Sequence, residues 1–319
     1  MKHVLSCVLL LLSLAGASRA GEALDGTLVI FHAGSLAVPM DELCREFQRL
    51  HPGLTIQREA DGSRNCARKV SELERACDVL AASDYRVIDD LLIPGHAAWN
   101  IRFASNEMVL AANPGVLKAR GLTAGNCFDR FLKGELTFGR ADPNADPCGY
   151  RTVHTMRLAG LLLKRPGLAD SLLALNRRHI RPKEVDLLAL LEMGAIDCMF
   201  IYRSVAAQHG LDILELPTQI NLGDPALDPV YRQAWADISG QAPGESVRVL
   251  GESMVYGVTI PRSSPNPAAA LAFVRFLLTR SEGGAILARL GQPSVVPSAT
   301  DTWSALPAAL RPFARPPGK

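Results

Sequence analysis

The sequence predicts an α/β protein of two domains, and three observations carry that prediction. The chain has 319 residues, beyond the length at which a single hydrophobic core stops growing, so two domains of roughly 100 to 200 residues each are expected. Short β-branched apolar runs alternate with segments of helical periodicity near the start of the chain, the pattern of a parallel sheet flanked by helices. The alternation then resumes further along, which predicts a second α/β unit. At 48% hydrophobic and 21% charged residues the composition is globular, which excludes disordered and collagen-like classes.

The elements follow in order. Lys2, the apolar run Val4 to Leu14 and the small-x-small site Ser18-Arg19-Ala20 read as a signal peptide over residues 1–20, cleaved before Gly21. The run is shorter than the roughly 20 residues a membrane span needs, so the mature protein is expected in the periplasm or otherwise outside the cytoplasm. Thr27 to Phe31 reads as a strand. The helix after it carries Met40, Leu43, Phe47 and Leu50 at spacings of three and four, and His51-Pro52-Gly53 stops it. Leu54 to Arg58 reads as a strand, Ser63 to Arg75 as a helix with Val70 and Leu73 on its apolar face, and Asp78 to Ala82 as a strand.

Met108 to Ala112 is a further strand, closed by Asn113-Pro114-Gly115. Thr137 to Gly139, helices over Thr152 to Leu163 and Glu184 to Met193, and the strand Cys198 to Tyr202 repeat the alternation. Met254 to Ile260 reads as a strand and Asn266 to Thr279 as a helix. If the strand at Met108 carries the chain out of the first domain and that at Met254 returns it, domain I comprises residues 21–107 and 256–319 and domain II residues 108–255. Two such crossings permit hinge closure.

Charge and cysteine usage narrow the chemistry. Lys and Arg number 34 and Asp and Glu 32, with no block of five like charges, so nucleic acid is not an expected partner. Cys44, Cys66, Cys77, Cys127, Cys148 and Cys198 follow the signal peptide with no Cys-x-x-Cys, and the histidines stand singly, so a zinc site has no support. In an oxidising compartment the six could pair in about 15 ways, and the spacing does not choose among them; structural cysteines are the simpler reading.

Two loops share one character. His32-Ala33-Gly34-Ser35 follows the first strand and Ala60-Asp61-Gly62-Ser63 the second, each leading into a helix. A small residue lets a ligand approach the backbone, a hydroxyl supplies a hydrogen bond, and helix-start amides favour an anion. The competing reading is that Ser35 and Ser63 only cap helices. Ala33-Gly34-Ser35-Leu36-Ala37 also has the outline of a nucleophile elbow, which would make Ser35 the nucleophile of an extracytoplasmic serine hydrolase, but the second glycine is absent and no acid–base partner is marked.

The segments FHAGSLAVPMDELCREFQRLHPG, QREADGSRNCARKVSEL, DVLAASDY, RFASNEMVLA, ADPCGYR, KEVDLLALLEMGAIDCMFIYRSVAAQHGL, LPTQINLGDP, MVYGVTIP and LGQPSVVP carry a resemblance. In content and order, from Thr27 to Pro297, the chain resembles the tungstate/molybdate-binding proteins of ABC importers, the archaeal-type family. That resemblance implies a type II periplasmic binding protein fold, with two α/β domains joined by two crossover strands that form a hinge. It also implies a monomeric, exported, non-enzymatic solute-binding protein that hands tungstate or molybdate to the membrane subunits of an ABC permease and needs no cofactor. A sulfate or other tetrahedral-oxyanion carrier is the alternative of the same class.

Carried over by motif, Ser35 and Ser63 are expected to hydrogen-bond the oxyanion from one side, with Asp146, Glu184 and Tyr202 reaching it from the other. The resemblance further implies that Asp146 and Glu184 bind the tungsten or molybdenum atom itself, because a large electron-poor centre accepts extra oxygen ligands where sulfur does not. Between Tyr150 and Lys183 the chain is shorter than archaeal members of the family, which leaves Glu184 or a neighbour as the second carboxylate; the family-like spacing from Glu184 to Tyr202 favours Glu184. If both loops converge on one ligand, Cys66 and Cys148 become the favoured pair for a disulfide.

Overall fold

The computed structural model describes residues 24–240, 242 and 244–318; the signal-peptide reading of residues 1–20 lies outside them. Twelve strands build the parts that matter here. They are β1 (Gly26–Ala33), β2 (Leu54–Asp61), β3 (Val79–Ala82), β4 (Ile101–Ser105), β5 (Met108–Ala112), β6 (Phe138–Ala141), β7 (Ile180–Arg181), β8 (Cys198–Tyr202), β9 (Asp212–Glu215), β10 (Trp235–Ser239), β11 (Ser246–Leu250) and β12 (Val255–Thr259). One five-stranded sheet has the order β2-β1-β3-β12-β4 and a second the order β7-β6-β8-β5-β9, while β10 and β11 form a separate antiparallel ribbon. This is the two-domain α/β arrangement expected from the alternation of elements.

The sheets are mixed rather than parallel. β1 runs parallel to β2 and β3, and β6 parallel to β8, as β-α-β units require. The strands flanking the crossings run the other way: β4 and β3 are each antiparallel to β12, and β5 is antiparallel to both β8 and β9. The chain passes from β4 to β5 through Asn106 and Glu107, and returns from β11 to β12 through residues 251–254. These two passages are the crossovers of the hinge.

Each sheet has its own core. Helices Ala37–Leu50 and Pro267–Leu278 cover one face of the first sheet, where Phe47 meets Phe273 edge-on at 5.2 Å. Phe31, Val70, Leu80 and Ile88 fill the other face. In the second sheet Phe138 packs between Phe131, at 4.7 Å, and Phe200, at 5.6 Å. Each fully buried phenylalanine contributes about 1.5–3 kcal/mol, so the two cores cohere separately and leave the space between them to polar contacts. Among the described residues no helix is long and apolar enough to cross a membrane.

Several element boundaries differ from expectation for physical reasons. The second helix spans Ser63–Ser71 and stops before Arg75 because Glu74 takes a left-handed φ of 50°. Val70 is therefore buried while Leu73 is exposed. The helix expected from Thr152 begins at Pro147 and ends at Leu162, with Asp146 as its N-cap. Glu184–Asp186 form a 3-10 turn before the helix Leu187–Glu192.

The Cys66–Cys148 bridge is not formed. All six described cysteines are free and buried. The Cys66 thiol faces the His32 carbonyl at 3.5 Å in the first domain, and that of Cys148 faces the Phe200 carbonyl at 3.8 Å in the second. Each sulfur belongs to its own domain, and a bond between them would lock the hinge.

Candidate functional site

The parallel pairing of β1 and β2 places the two Gly-Ser loops side by side, because Ala33 is level with Asp61 at the end of the ladder. Neither serine is a helix cap. Ser35 lies in the 3-10 turn Gly34–Leu36, and its Oγ accepts a hydrogen bond from the Tyr256 hydroxyl at 3.1 Å. The Ser63 Oγ accepts from the Ser83 amide at 2.9 Å and lies 3.1 Å from the Ser83 hydroxyl. Both serines are buried. The histidine of the first loop, His32, is buried and held neutral, its pKa lowered to about 4 chiefly by burial. Ser35 thus has no histidine or carboxylate among its hydrogen-bond partners, and Tyr256, whose pKa burial raises to about 12, donates to it rather than taking its proton.

Across the cleft, Asp146 is 1% exposed and works as a bracket. Its Oδ1 accepts from the Cys148 amide at 2.8 Å, starting the helix, and its Oδ2 accepts from the Glu184 amide at 3.1 Å. Glu184 is equally buried, and neither of its carboxylate oxygens accepts a hydrogen bond. Burial, followed by the nearby Asp146 charge, raises the Glu184 pKa well above the ordinary carboxylate value. Burial also raises Asp146, against the lowering effect of the hydrogen bonds it accepts. Burial thus works against the charged form of both carboxyl groups.

Tyr202 ends β8, fully buried; its hydroxyl accepts from Arg151 Nη1 at 3.0 Å and donates to Ser83 Oγ at 3.5 Å. The structure therefore brings all five sequence-predicted residues to the junction of the two domains. Ser63 and Tyr202 meet through Ser83, Asp146 holds Glu184, and Glu184 packs against Gly34 beside Ser35.

Sequence reasoning missed the groups that organise these five. Arg151 is 2% exposed and carries the positive charge of the site. Its Nη1 donates to the Ser83 carbonyl at 2.7 Å, and its Nη2 lies 3.3 Å from Asp84 Oδ2, which also accepts from the Tyr150 hydroxyl at 2.6 Å. These contacts cross from the second domain to the first. Asn106, in the crossover, donates to the Tyr256 hydroxyl at 3.0 Å and to Ser204 Oγ at 2.7 Å, tying the hinge to Ser35. Arg64 adds a further clasp, donating to the carbonyls of Asn144 at 3.2 Å and Ser239 at 2.6 Å.

The donor set suits an oxyanion rather than a bare cation. Hydroxyls and one guanidinium surround two carboxylates, and among the described residues no group of three or more His, Cys, Asp or Glu side chains could hold a metal ion. A metal centre that arrives with its own oxygens needs fewer protein ligands than a bare ion does.

Known proteins resemble the chain in sequence and in fold. The family described as bacterial extracellular solute-binding protein matches residues 28–291. An uncharacterized solute-binding protein of Petrotoga mobilis is 41% identical over 291 residues, covering 91% of this chain and 90% of its own. The molybdate/tungstate-binding protein WtpA of Thermococcus kodakarensis is 36% identical over 282 residues, covering 80% of this chain and 78% of its own. Among solved structures, the periplasmic molybdate-binding protein of Azotobacter vinelandii superposes with a TM-score of 0.59 at 16% identity, over 83% of this chain and 98% of that one, a likeness of fold alone. With a family match over most of its length and relatives of this identity, the chain belongs to the bacterial extracellular solute-binding proteins, as a two-domain type II periplasmic binding protein related to the molybdate/tungstate-binding branch.

Proposed function

We propose that this protein captures tungstate or molybdate between its two domains, outside the cytoplasm, and delivers it as a monomer to the membrane subunits of an ABC importer. In this reading residues 1–20 are removed on export, and residues 21–107 with 256–319 close against residues 108–255. The observation that carries it is the Glu184 carboxylate, fully buried beside Asp146 with neither oxygen accepting a hydrogen bond. Such a group is costly to bury unless something electropositive meets it. Sulfate offers only negative oxygens and would be repelled. Tungsten and molybdenum accept further hard oxygen ligands, so Asp146 and Glu184 expand the four oxyanion oxygens to six ligands around the metal.

The remaining groups divide the work of binding. Ser35 and Ser63 hydrogen-bond the oxyanion oxygens from the first domain and Tyr202 from the second. Arg151 offsets the carboxylate charge and clasps the first domain at Ser83 and Asp84.

Calorimetric titration of one preparation with tungstate, molybdate and sulfate, with X-ray absorption on the complex, tests the proposal. Tight binding of the two metal oxyanions, weak binding of sulfate and a distorted six-coordinate spectrum are expected. Preference for sulfate would make the protein a carrier of simple tetrahedral anions, and a four-coordinate spectrum would remove the carboxylates from the coordination shell.

The serines give a second expectation. Removing one hydroxyl that bonds an anion costs about 1.5–3 kcal/mol, roughly tenfold to a hundredfold in affinity. Ser35→Ala and Ser63→Ala should each weaken tungstate binding by such a factor, and Ser63→Ala should also melt earlier, because it leaves the buried Ser83 amide without its acceptor. Unchanged affinity in both would leave them only their contacts to Tyr256 and Ser83.

A further inference from the structure

The two glycines that precede the site serines do different jobs, and the difference bears on ligand choice. Neither is required by its backbone: neither Gly34 nor Gly62 has a left-handed φ, and Gly62 sits at φ −57° and ψ 138°, where any residue fits. What each requires is room for the opposite domain. A Cβ on Gly62 would lie 2.4 Å from the Ala145 carbonyl oxygen and 3.0 Å from that of Pro182, both main-chain atoms of the second domain. A Cβ on Gly34 would lie 3.0 and 3.1 Å from the two Glu184 carboxylate oxygens and 3.2 Å from Val185 Cγ2. The first is a collision with backbone. The second is a displacement of the buried Glu184 carboxylate, whose oxygens accept no hydrogen bond.

We infer that Gly34 is a specificity-determining position, whose missing side chain lets the Glu184 carboxylate seat against the first Gly-Ser loop beside Ser35, whereas Gly62 governs closure on any ligand. The inference rests on the reading of the site as one that coordinates a metal oxyanion. Coordination is exacting in distance, with metal–oxygen lengths defined to about 0.2 Å. Glu184 is 1% exposed, so a methyl group on Gly34 cannot be accommodated by turning the carboxylate into solvent. It shifts the carboxylate by a few tenths of an ångström. Hydrogen bonds from Ser35, Ser63 and Tyr202 tolerate such a shift, so an anion held only by hydrogen bonds is little affected.

The test titrates the full chain and its variants with sodium tungstate, sodium molybdate and sodium sulfate. Gly34→Ala should weaken tungstate and molybdate by about tenfold or more and sulfate by less than about threefold, lowering the selectivity between them. Gly62→Ala should weaken all the anions by similar factors and remain extended by solution scattering when tungstate is added; its clash exists only on closure, so it still folds. In a Glu184→Ala background, Gly34→Ala should cost nothing further for tungstate, since the group it displaces is gone. This non-additivity decides the matter even where sulfate binds too weakly to measure. If Gly34→Ala costs its full factor in the Glu184→Ala background, or leaves tungstate affinity at the parental value, the inference is overturned and the coordination reading survives. If the parent itself binds neither tungstate nor molybdate, it is the coordination reading that fails.

Discussion

Asp146→Ala is expected to lower tungstate and molybdate affinity by on the order of a hundredfold to a thousandfold, the largest effect of any single substitution at the site. The size follows from three losses at one side chain. The metal ligand of the proposed coordination disappears, the Glu184 amide loses its acceptor, and the Cys148 amide loses its cap. The last two loosen the turn that positions the second carboxylate, so coordination suffers twice. The cap alone is worth about 1 kcal/mol and the orphaned buried amide about 1–3 kcal/mol, so the alanine variant also melts earlier. Asp146→Asn separates the contributions in part: its one side-chain oxygen can still accept from the Cys148 amide and keep the cap, while the NH2 group in place of Oδ2 cannot accept from the Glu184 amide, and the side chain carries no charge. It should melt between the alanine variant and the parent and still lose most of its metal-oxyanion affinity, while any residual sulfate binding is kept. Calorimetry on the two variants decides. Parental tungstate affinity in either one would sink the coordination mechanism, even if transport of some other solute survived.

Rising pH is expected to open the ligand-free protein. In the closed form Glu184 is enclosed with Asp146, Arg151 and Tyr202, and burial followed by the Asp146 charge lifts its pKa well above the ordinary carboxylate value. When the domains part, water reaches the carboxyl group and that lift is lost. Closure therefore takes up a proton. The contribution of this proton to closure is complete below the ordinary carboxylate pKa and disappears as pH rises through the raised one. Over that interval each pH unit changes the closed-to-open ratio by up to about tenfold, or 1.4 kcal/mol. Solution scattering across pH should show the ligand-free radius of gyration increasing, while the tungstate complex stays compact because the metal, not a proton, meets the carboxylate. Glu184→Gln, neutral at every pH, should show a smaller change, leaving only the contribution of Asp146, which burial also raises. A parental protein whose dimensions ignore pH would mean that Glu184 is hydrated in both forms.

Much of the fold was legible because its elements are half-buried. Met40, Leu43 and Phe47 repeat at helical spacing because one face of their helix meets the first sheet. The ribbon of β10 and β11 was not legible for a different reason: SVRVL alternates polar and apolar residues over too few positions to stand out, and β11 leaves most of its residues exposed. The start at Pro147 was legible and overlooked, since an aspartate directly before a proline is a helix-start signature. Arg151 could not have been placed by pattern. Its helix is buried almost all round from Pro147 to Met156, so no polar face marks which charged residue points inward. Ser35 and Ser63 were marked by their Gly-Ser loops, whereas Asp146, Glu184 and Tyr202 became visible only through motif resemblance. Ser83 and Asp84, which lie in the same quoted segments, were invisible as partners because their roles depend on contacts from the other domain.

The absence of any bridge among the six described cysteines reaches beyond the hinge. In the location proposed for it, outside the cytoplasm, the protein meets oxidants, and exposed thiols there would be driven to sulfenic acids or mixed disulfides. These sulfurs are shielded instead. Burial raises the pKa of Cys44, Cys77 and Cys127 to about 12, so almost none of the reactive thiolate forms while the chain stays folded. Redox chemistry is thereby postponed to unfolding, and the fold needs neither an oxidase to mature nor an isomerase to correct it. Refolding should run to completion in excess reductant, and the sensitive moment in the life of the molecule is the interval before its cores close.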